Sequence, residues 1–165
     1  MLKITYVYGH GREKKINKSS DYSSDFLYGY DHLKELDYDV DYIVPNNKNN
    51  SLLIFIEKVL RKCTKLPIYM SDYISWNNIK KIFGSEVLIL TNDPIALSLL
   101  PILIFYKLFK RGEIIVVIMG LFSKPKPNKL INLFQSLFIR TLLLVSSKFI
   151  FLGKNEKLNA RSEER

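Results

Sequence analysis

Cysteine and histidine are scarce in this 165-residue sequence, which contains one Cys and two His. A single cysteine cannot form an internal disulfide bond, and two distant histidines with one cysteine lack the ligand spacing of a zinc site. The sequence therefore predicts no metal site and calls for no cofactor. The free Cys63 fits a protein of a reducing compartment.

Long hydrophobic runs are also missing, since no stretch reaches the ~18 uninterrupted apolar residues of a membrane span. Pro101 and Lys107 interrupt residues 95–109, and Gln135, Arg140 and Lys148 interrupt residues 130–152. The start of the chain is too short and too polar for a signal peptide. We therefore expect a cytoplasmic protein that does not span a membrane.

The composition that is present belongs to a folded domain. Hydrophobic residues make up 47% of the chain and aromatic residues 13%, which excludes a disordered protein. The net charge is +9, but it is uneven: residues 1–60 hold 8 Lys/Arg and 9 Asp/Glu, and residues 61–165 hold 17 and 7. The basic second part suits anionic lipid, phosphate or nucleic acid.

Residues 86–120 predict a strand, a helix and a second strand, which is the βαβ unit of a parallel sheet. Asp93 suits the N-cap of this helix, and Pro94 its first position. Five short apolar runs predict the whole sheet: 2–8, 39–44, 86–91, 114–119 and 148–152. We predict a three-layer, Rossmann-like α/β domain over residues 1–153, with a charged tail or the start of a linker at 154–165.

Other segments carry weaker signals. Residues 12–24 read as a long loop, and Ser23 or Ser24 suits the cap of a helix from Asp25 to Leu36, with Gly29 on its packed stripe. Residues 67–71 suit a short strand. Helical spacing also predicts helices over 52–63, 77–83 and 129–145, and residues 123–128 predict an extended loop.

Ligands of open parallel sheets bind where strands end. The candidate binding residues are those that follow the predicted strands: Gly9, His10, Gly11, Asn92, Asp93 and Gly120. The glycines suit either a tight turn with positive φ or close approach of the backbone to a ligand. His10 suits either a base or donor-binding role or a plain loop, and His32 a structural role. The third glycine of a dinucleotide fingerprint is missing, so a nicotinamide site is not predicted.

Lys107, Lys110 and Arg111 form a basic end on the long apolar helix. Cations at the C-terminal end of a helix interact favourably with the helix dipole, which is a purely structural explanation for these three residues. Because the helix is apolar nearly all round, it is either fully buried or offers an apolar, basic surface to an anionic membrane.

Several segments together resemble the N-terminal domain of family 4-type glycosyltransferases. The similar segments lie in the same order along nearly the whole chain: 24–29, 32–40, 87–94, 116–121 and 148–156. The resemblance implies a GT-B architecture, of which this chain is the acceptor-side half, and Gly9, Gly11, Asn92 and Asp93 match its binding positions. Many relatives have a histidine where this chain has Met119, which cannot donate a proton or a strong hydrogen bond.

The resemblance implies transfer of sugar from a nucleotide-sugar to a cell-surface or lipid-linked glycan. The chain ends where the donor-binding half should begin, so we expect a truncated product or one subunit of a split enzyme, inactive alone. It would lie in the cytoplasm, peripheral on the inner face of the plasma membrane. The alternative is a non-catalytic module that binds membrane or a partner. Nucleic acid is not an expected partner, because net charge without a recognised motif is a non-specific signal.

Overall fold

The computed structural model describes residues 2–12, 16, 27–46, 50–121 and 128–152. They form one five-stranded sheet in which every pairing is parallel. The strands are β1 (Lys3–Val7), β2 (Asp39–Ile43), β3 (Val87–Leu90), β4 (Glu113–Ile118) and β5 (Lys148–Phe151). The described helices are α1 (Tyr30–Glu35), α2 (Ser51–Thr64), α3 (Met70–Tyr73), α4 (Trp76–Gly84), α5 (Asp93–Phe109) and α6 (Lys129–Val145). The predicted fold class and all five predicted strands are confirmed.

The strand order is β2-β1-β3-β4-β5, so β1 lies inside the sheet between β2 and β3. From β1 the chain moves outward to β2, and it then returns to the other side of β1 to form β3. Ile4 of β1 pairs with Val40 on one side and with Val87 on the other. Strand order reverses between β1 and β3, and such a reversal opens a crevice at the carboxyl ends of the two strands.

The two faces of the sheet carry different cores. Alternation along the strands sends Leu88, Leu90, Ile114 and Val116 to one face, where they pack against helices that include α5 and α6. The other face carries tyrosines of β1 and its continuation, Tyr6 and Tyr8, which pack with Tyr30 of α1. Helices on both faces give the three layers that the sequence predicts.

Helix α5 is buried through most of its length, whereas its C-terminal end is exposed. Residues 95–100 of α5 are all buried. Only its last turns expose large apolar side chains, at Phe105, Leu108 and Phe109. Within the described ranges, no helix is long and apolar enough to cross a membrane.

Two local predictions are wrong. Residues 67–71 were predicted as a strand, but helix α3 begins at Met70, and the Tyr69 N–H donates to Ser98 Oγ of α5 instead of to a sheet neighbour. Gly29 was predicted within a helix, but it precedes α1 with φ +81°, where the absence of a Cβ permits the left-handed conformation. The predicted start of that helix at Asp25, its Ser23 or Ser24 cap, the loop at 123–127 and the tail at 154–165 lie outside the described residues.

The buried tyrosines predict how stability depends on pH. Desolvation raises the pKa of Tyr6 to about 12 and of Tyr106 to about 12, and raises the pKa of Tyr8 and Tyr73 further. The pKa of tyrosine in the unfolded chain is ~10. The contribution of these tyrosines to the free energy of unfolding should therefore be fully present below pH 10 and should fall as pH rises towards 12. Urea unfolding at pH 9, 10 and 11 measures this loss, which should reach about 1 kcal/mol for each such tyrosine at pH 11.

Tyr106→Phe is the control for this titration. It removes one ionisable hydroxyl, so its decline between pH 10 and pH 11 should be shallower than that of the original chain, whatever its stability at pH 9. A profile that stays flat from pH 9 to pH 11 would contradict the assignment.

Candidate functional site

The predicted binding residues follow β1, β3 and β4, so all of them lie at the carboxyl edge of the parallel sheet. Gly9 lies against the side chain of Asn92: a Cβ on Gly9 would lie 3.4 Å from Asn92 Nδ2. This distance is an ordinary van der Waals contact, and it shows that the end of β1 lies next to the Asn92 side chain at the end of β3. Gly11 has φ +83° with open space around its Cα, so the positive-φ turn predicted for it is confirmed.

His10 is paired with a carboxylate that sequence reasoning did not select. Its Nε2 lies 3.0 Å from Asp72 Oδ2, and 62% of the His10 side chain is exposed against 22% of the Asp72 side chain. Asp72 lies in α3, and its backbone carbonyl accepts a hydrogen bond of 2.8 Å from the Asn46 N–H. The Asp72 carboxylate therefore holds one ring nitrogen of an imidazole that is largely exposed.

Asn92 and Asp93 both have structural roles at the start of α5. Asn92 Oδ1 accepts a hydrogen bond of 2.9 Å from the Ile95 N–H, so Asn92 is the N-cap. The predicted cap at Asp93 is therefore displaced by one residue, because the amide of Asn92 reaches the free N–H groups first. Asp93 is buried, and its Oδ1 accepts a hydrogen bond of 3.1 Å from the Met119 N–H, which ties the end of β4 to α5.

A cavity of about 320 Å³ lies between the ends of β3 and β4. It is lined by Asn92, Asp93, Pro94, Met119 and Gly120. Gly120 has φ +135°, a conformation that L side chains rarely adopt, so the wall of the cavity here is bare backbone. Met119 is half exposed, and its thioether lines the cavity but cannot donate a hydrogen bond.

Tyr28 is a second residue of this edge that sequence reasoning missed as a site residue. Its hydroxyl lies 3.9 Å from Met119 Sδ, and the Arg12 guanidinium lies 5.8 Å from the centre of its ring. Tyr28 has φ +53°, and its carbonyl accepts a hydrogen bond from the Tyr6 hydroxyl. No local sequence pattern predicts the position of Tyr28, because this position depends on how the segment before α1 packs against the sheet.

The predicted membrane-contact residues lie far from this edge. Helix α5 has 17 residues, so its two ends are separated by ~25 Å. Lys107 Nζ donates to the Gly112 carbonyl and to Ser147 Oγ, which gives this lysine a structural role. Lys110 and Arg111 are exposed. The two groups of predicted site residues therefore lie at opposite ends of one helix.

The side chains at the carboxyl edge are suited to hydrogen bonding with a polar ligand. Among the residues that the structure describes, no group of three or more His, Cys, Asp or Glu could hold a metal ion. The Asn92 amide and the Gly120 backbone line the cavity, and the exposed His10 imidazole lies beyond the end of β1, next to β3 in the sheet. Comparisons with protein-family models, curated proteins and solved structures find no match for this chain. Its function is therefore inferred from this site and from the resemblance of its segments.

Proposed function

We propose that this chain is the acceptor-side half of a glycosyltransferase that transfers sugar from a nucleotide-sugar to a cell-surface or lipid-linked glycan. The observation that supports it is that Gly9, His10 and Asn92 lie at the carboxyl ends of β1 and β3, where strand order reverses, and that Asn92 also lines the cavity next to Gly120. In this architecture the acceptor occupies that edge and the donor is held by a second Rossmann-like unit. The proposal assigns the chain to the cytoplasmic side of the membrane, where nucleotide-sugars are available.

His10 is the residue to which we assign proton transfer. With Asp72 accepting from Nε2–H, the Nδ1 lone pair takes the proton of the acceptor hydroxyl. The hydroxyl oxygen then forms the bond to the anomeric carbon, and the bond to the nucleoside diphosphate breaks with both electrons leaving on the diphosphate. Asp72 positions the ring and stabilises the imidazolium that forms.

The 165-residue chain alone is expected to neither hydrolyse nor transfer sugar. The donor diphosphate must be held and its developing charge stabilised, and the proposal assigns those groups to the second unit. Release of UDP, GDP or dTDP from a panel of nucleotide-sugars, compared with a heat-killed control, measures this. Addition of a donor-binding half should restore transfer.

Turnover by the chain alone would show that it is a complete enzyme and that the division into halves is wrong. Failure of every donor-binding half encoded beside it to restore transfer would count against a glycosyltransferase.

A second candidate is a non-catalytic module that docks on an anionic membrane. The exposed Phe105, Leu108 and Phe109, followed by exposed Lys110 and Arg111, support it, because they join apolar surface and positive charge at one end of α5. This candidate needs no chemistry at the carboxyl edge.

A further inference from the structure

Helices α2 and α6 expose large apolar side chains in stripes at helical spacing. Four lie on α2 and five on α6, and these nine define the α2–α6 face: Leu52, Phe55, Ile56 and Val59, with Leu130, Leu133, Phe134, Leu137 and Leu144. Their exposed fractions run from 36% for Ile56 to 82% for Leu144. Single exposed apolar residues are ordinary on soluble proteins, but nine on two helices that contact each other indicate an interaction surface.

A cavity of about 260 Å³ lies beside this face, between α2, α5 and α6. Leu60 of α2, Leu137 and Phe138 of α6, and Pro101 and Ile104 of α5 contribute to its walls. Thr141 is the one lining residue with a polar side chain. Such a site favours a hydrocarbon chain over any polar ligand.

The charge around the face has one sign. Lys58 and Lys62 of α2 and Lys129 and Arg140 of α6 are exposed, and none of the four forms an ion pair with a described residue. The one carboxylate on the two helices, Glu57, is buried and accepts from Arg61 at 2.8 Å. A second copy of this chain would bring like charge to the contact, which opposes self-association.

We propose that the α2–α6 face docks on an anionic lipid bilayer, with both helices at the boundary of headgroups and acyl chains and one acyl chain entering the cavity beside them. The aliphatic stripes supply the apolar area, and the four cations reach anionic headgroups, as in helices that lie in a membrane interface. The inference is independent of sugar transfer, because neither helix contributes a residue to the carboxyl-edge site.

Co-sedimentation with vesicles tests the docking. The chain should bind phosphatidylcholine–phosphatidylglycerol vesicles at least tenfold more tightly than pure phosphatidylcholine vesicles, and 1 M salt should release most of it because the Debye length falls to ~3 Å. Lys58→Glu with Lys62→Glu, and separately Leu133→Ser with Leu137→Ser, should each weaken binding at least fivefold. Lys34→Glu on α1 and Leu36→Ser just after it are the controls, because both residues are exposed, and these variants should bind like the original chain.

The orientation of the chain on the vesicle surface can be measured with two probes that the chain already contains. Cys63 is free and exposed on α2, and Trp76 is 69% exposed on α4. An environment-sensitive fluorophore on Cys63 should shift to the blue on anionic vesicles and be quenched by brominated acyl chains. Trp76 emission should change little.

Three outcomes would overturn the proposal. Equal binding to neutral and anionic vesicles, or binding to neither, removes the charge argument. Lys110→Glu with Arg111→Glu abolishing binding while the α2–α6 variants retain it would assign contact to the end of α5 instead. Sedimentation that depends on protein concentration without vesicles would identify a second copy as the occupant.

Discussion

Gly112→Ala is expected to lower the free energy of unfolding by about 2–4 kcal/mol. A Cβ at this position would overlap the hydroxyl and ring of Tyr106 and would lie 2.9 Å from the Glu86 carbonyl oxygen. Tyr106 is fully buried, its hydroxyl donates to the Ser85 carbonyl at 3.0 Å, and its ring packs edge-on against Phe83. The ring can move only by breaking that hydrogen bond and disturbing the packing around it.

Gly84→Ala is the matched control for this substitution. A Cβ on Gly84 meets nothing within 4 Å, and Gly84 is the last residue of α4. Alanine there should leave stability unchanged or raise it by up to about 1 kcal/mol, because alanine loses less backbone entropy than glycine in a helix. Urea midpoints of the two variants give the comparison. Equal destabilisation by both would show that overlap with Tyr106 does not govern the effect at Gly112.

His10→Gln is expected to lower kcat/KM of the reconstituted transferase by about 10²–10⁴-fold, the usual contribution of a positioned base. Glutamine keeps polarity and approximate size but cannot accept the proton of the acceptor hydroxyl. The loss should lie in kcat, because binding of the nucleotide-sugar does not use this residue in the proposal. Asp72→Asn should give a smaller loss, since the amide leaves the ring in place without fixing its tautomer.

His32→Gln is the control for both variants. His32 is an exposed histidine on α1, 3.9 Å from Glu35, and it takes no part in the carboxyl edge. Activity should survive this change. Retention of kcat in His10→Gln would remove His10 from the mechanism, and a loss confined to KM would make it a binding residue.

Most of the sheet could be predicted because its strands carry their own signal. Continuous β-branched runs such as residues 114–118 suit a strand covered on both faces, and the structure places β4 there. Helix α6 was predicted over 129–145 and spans the same residues, since its apolar spacing is regular and Lys148 starts the next strand. These elements depend on neighbours within a few residues.

Features that depend on distant partners could not be predicted in the same way. The residues around Ile68 resemble a strand because they are apolar, but the hydrogen bond that the Tyr69 N–H donates to Ser98 Oγ forms only after α5 packs there. The pairing of His10 with Asp72 joins positions 62 apart, and nothing in either segment specifies it. Asn92, Asp93 and Gly120 could be proposed for the site because strand ends are visible in the sequence. The residues Asp72 and Tyr28 could not.

The position of β1 in the middle of the sheet has a consequence for the order of folding. Pairing of Ile4 with Val87 closes a loop of about 80 residues, whereas β3, α5, β4, α6 and β5 follow one another along the chain. Closing a loop of that length costs conformational entropy before the contacts between β1 and β3 can stabilise the fold. We therefore expect the segment from β3 to β5 to fold first, because its contacts are more local. Strands β1 and β2 then add to the edge of the sheet at β3. During synthesis the first strand stays unpaired on its β3 side until the chain has been made as far as Leu90, the last residue of β3.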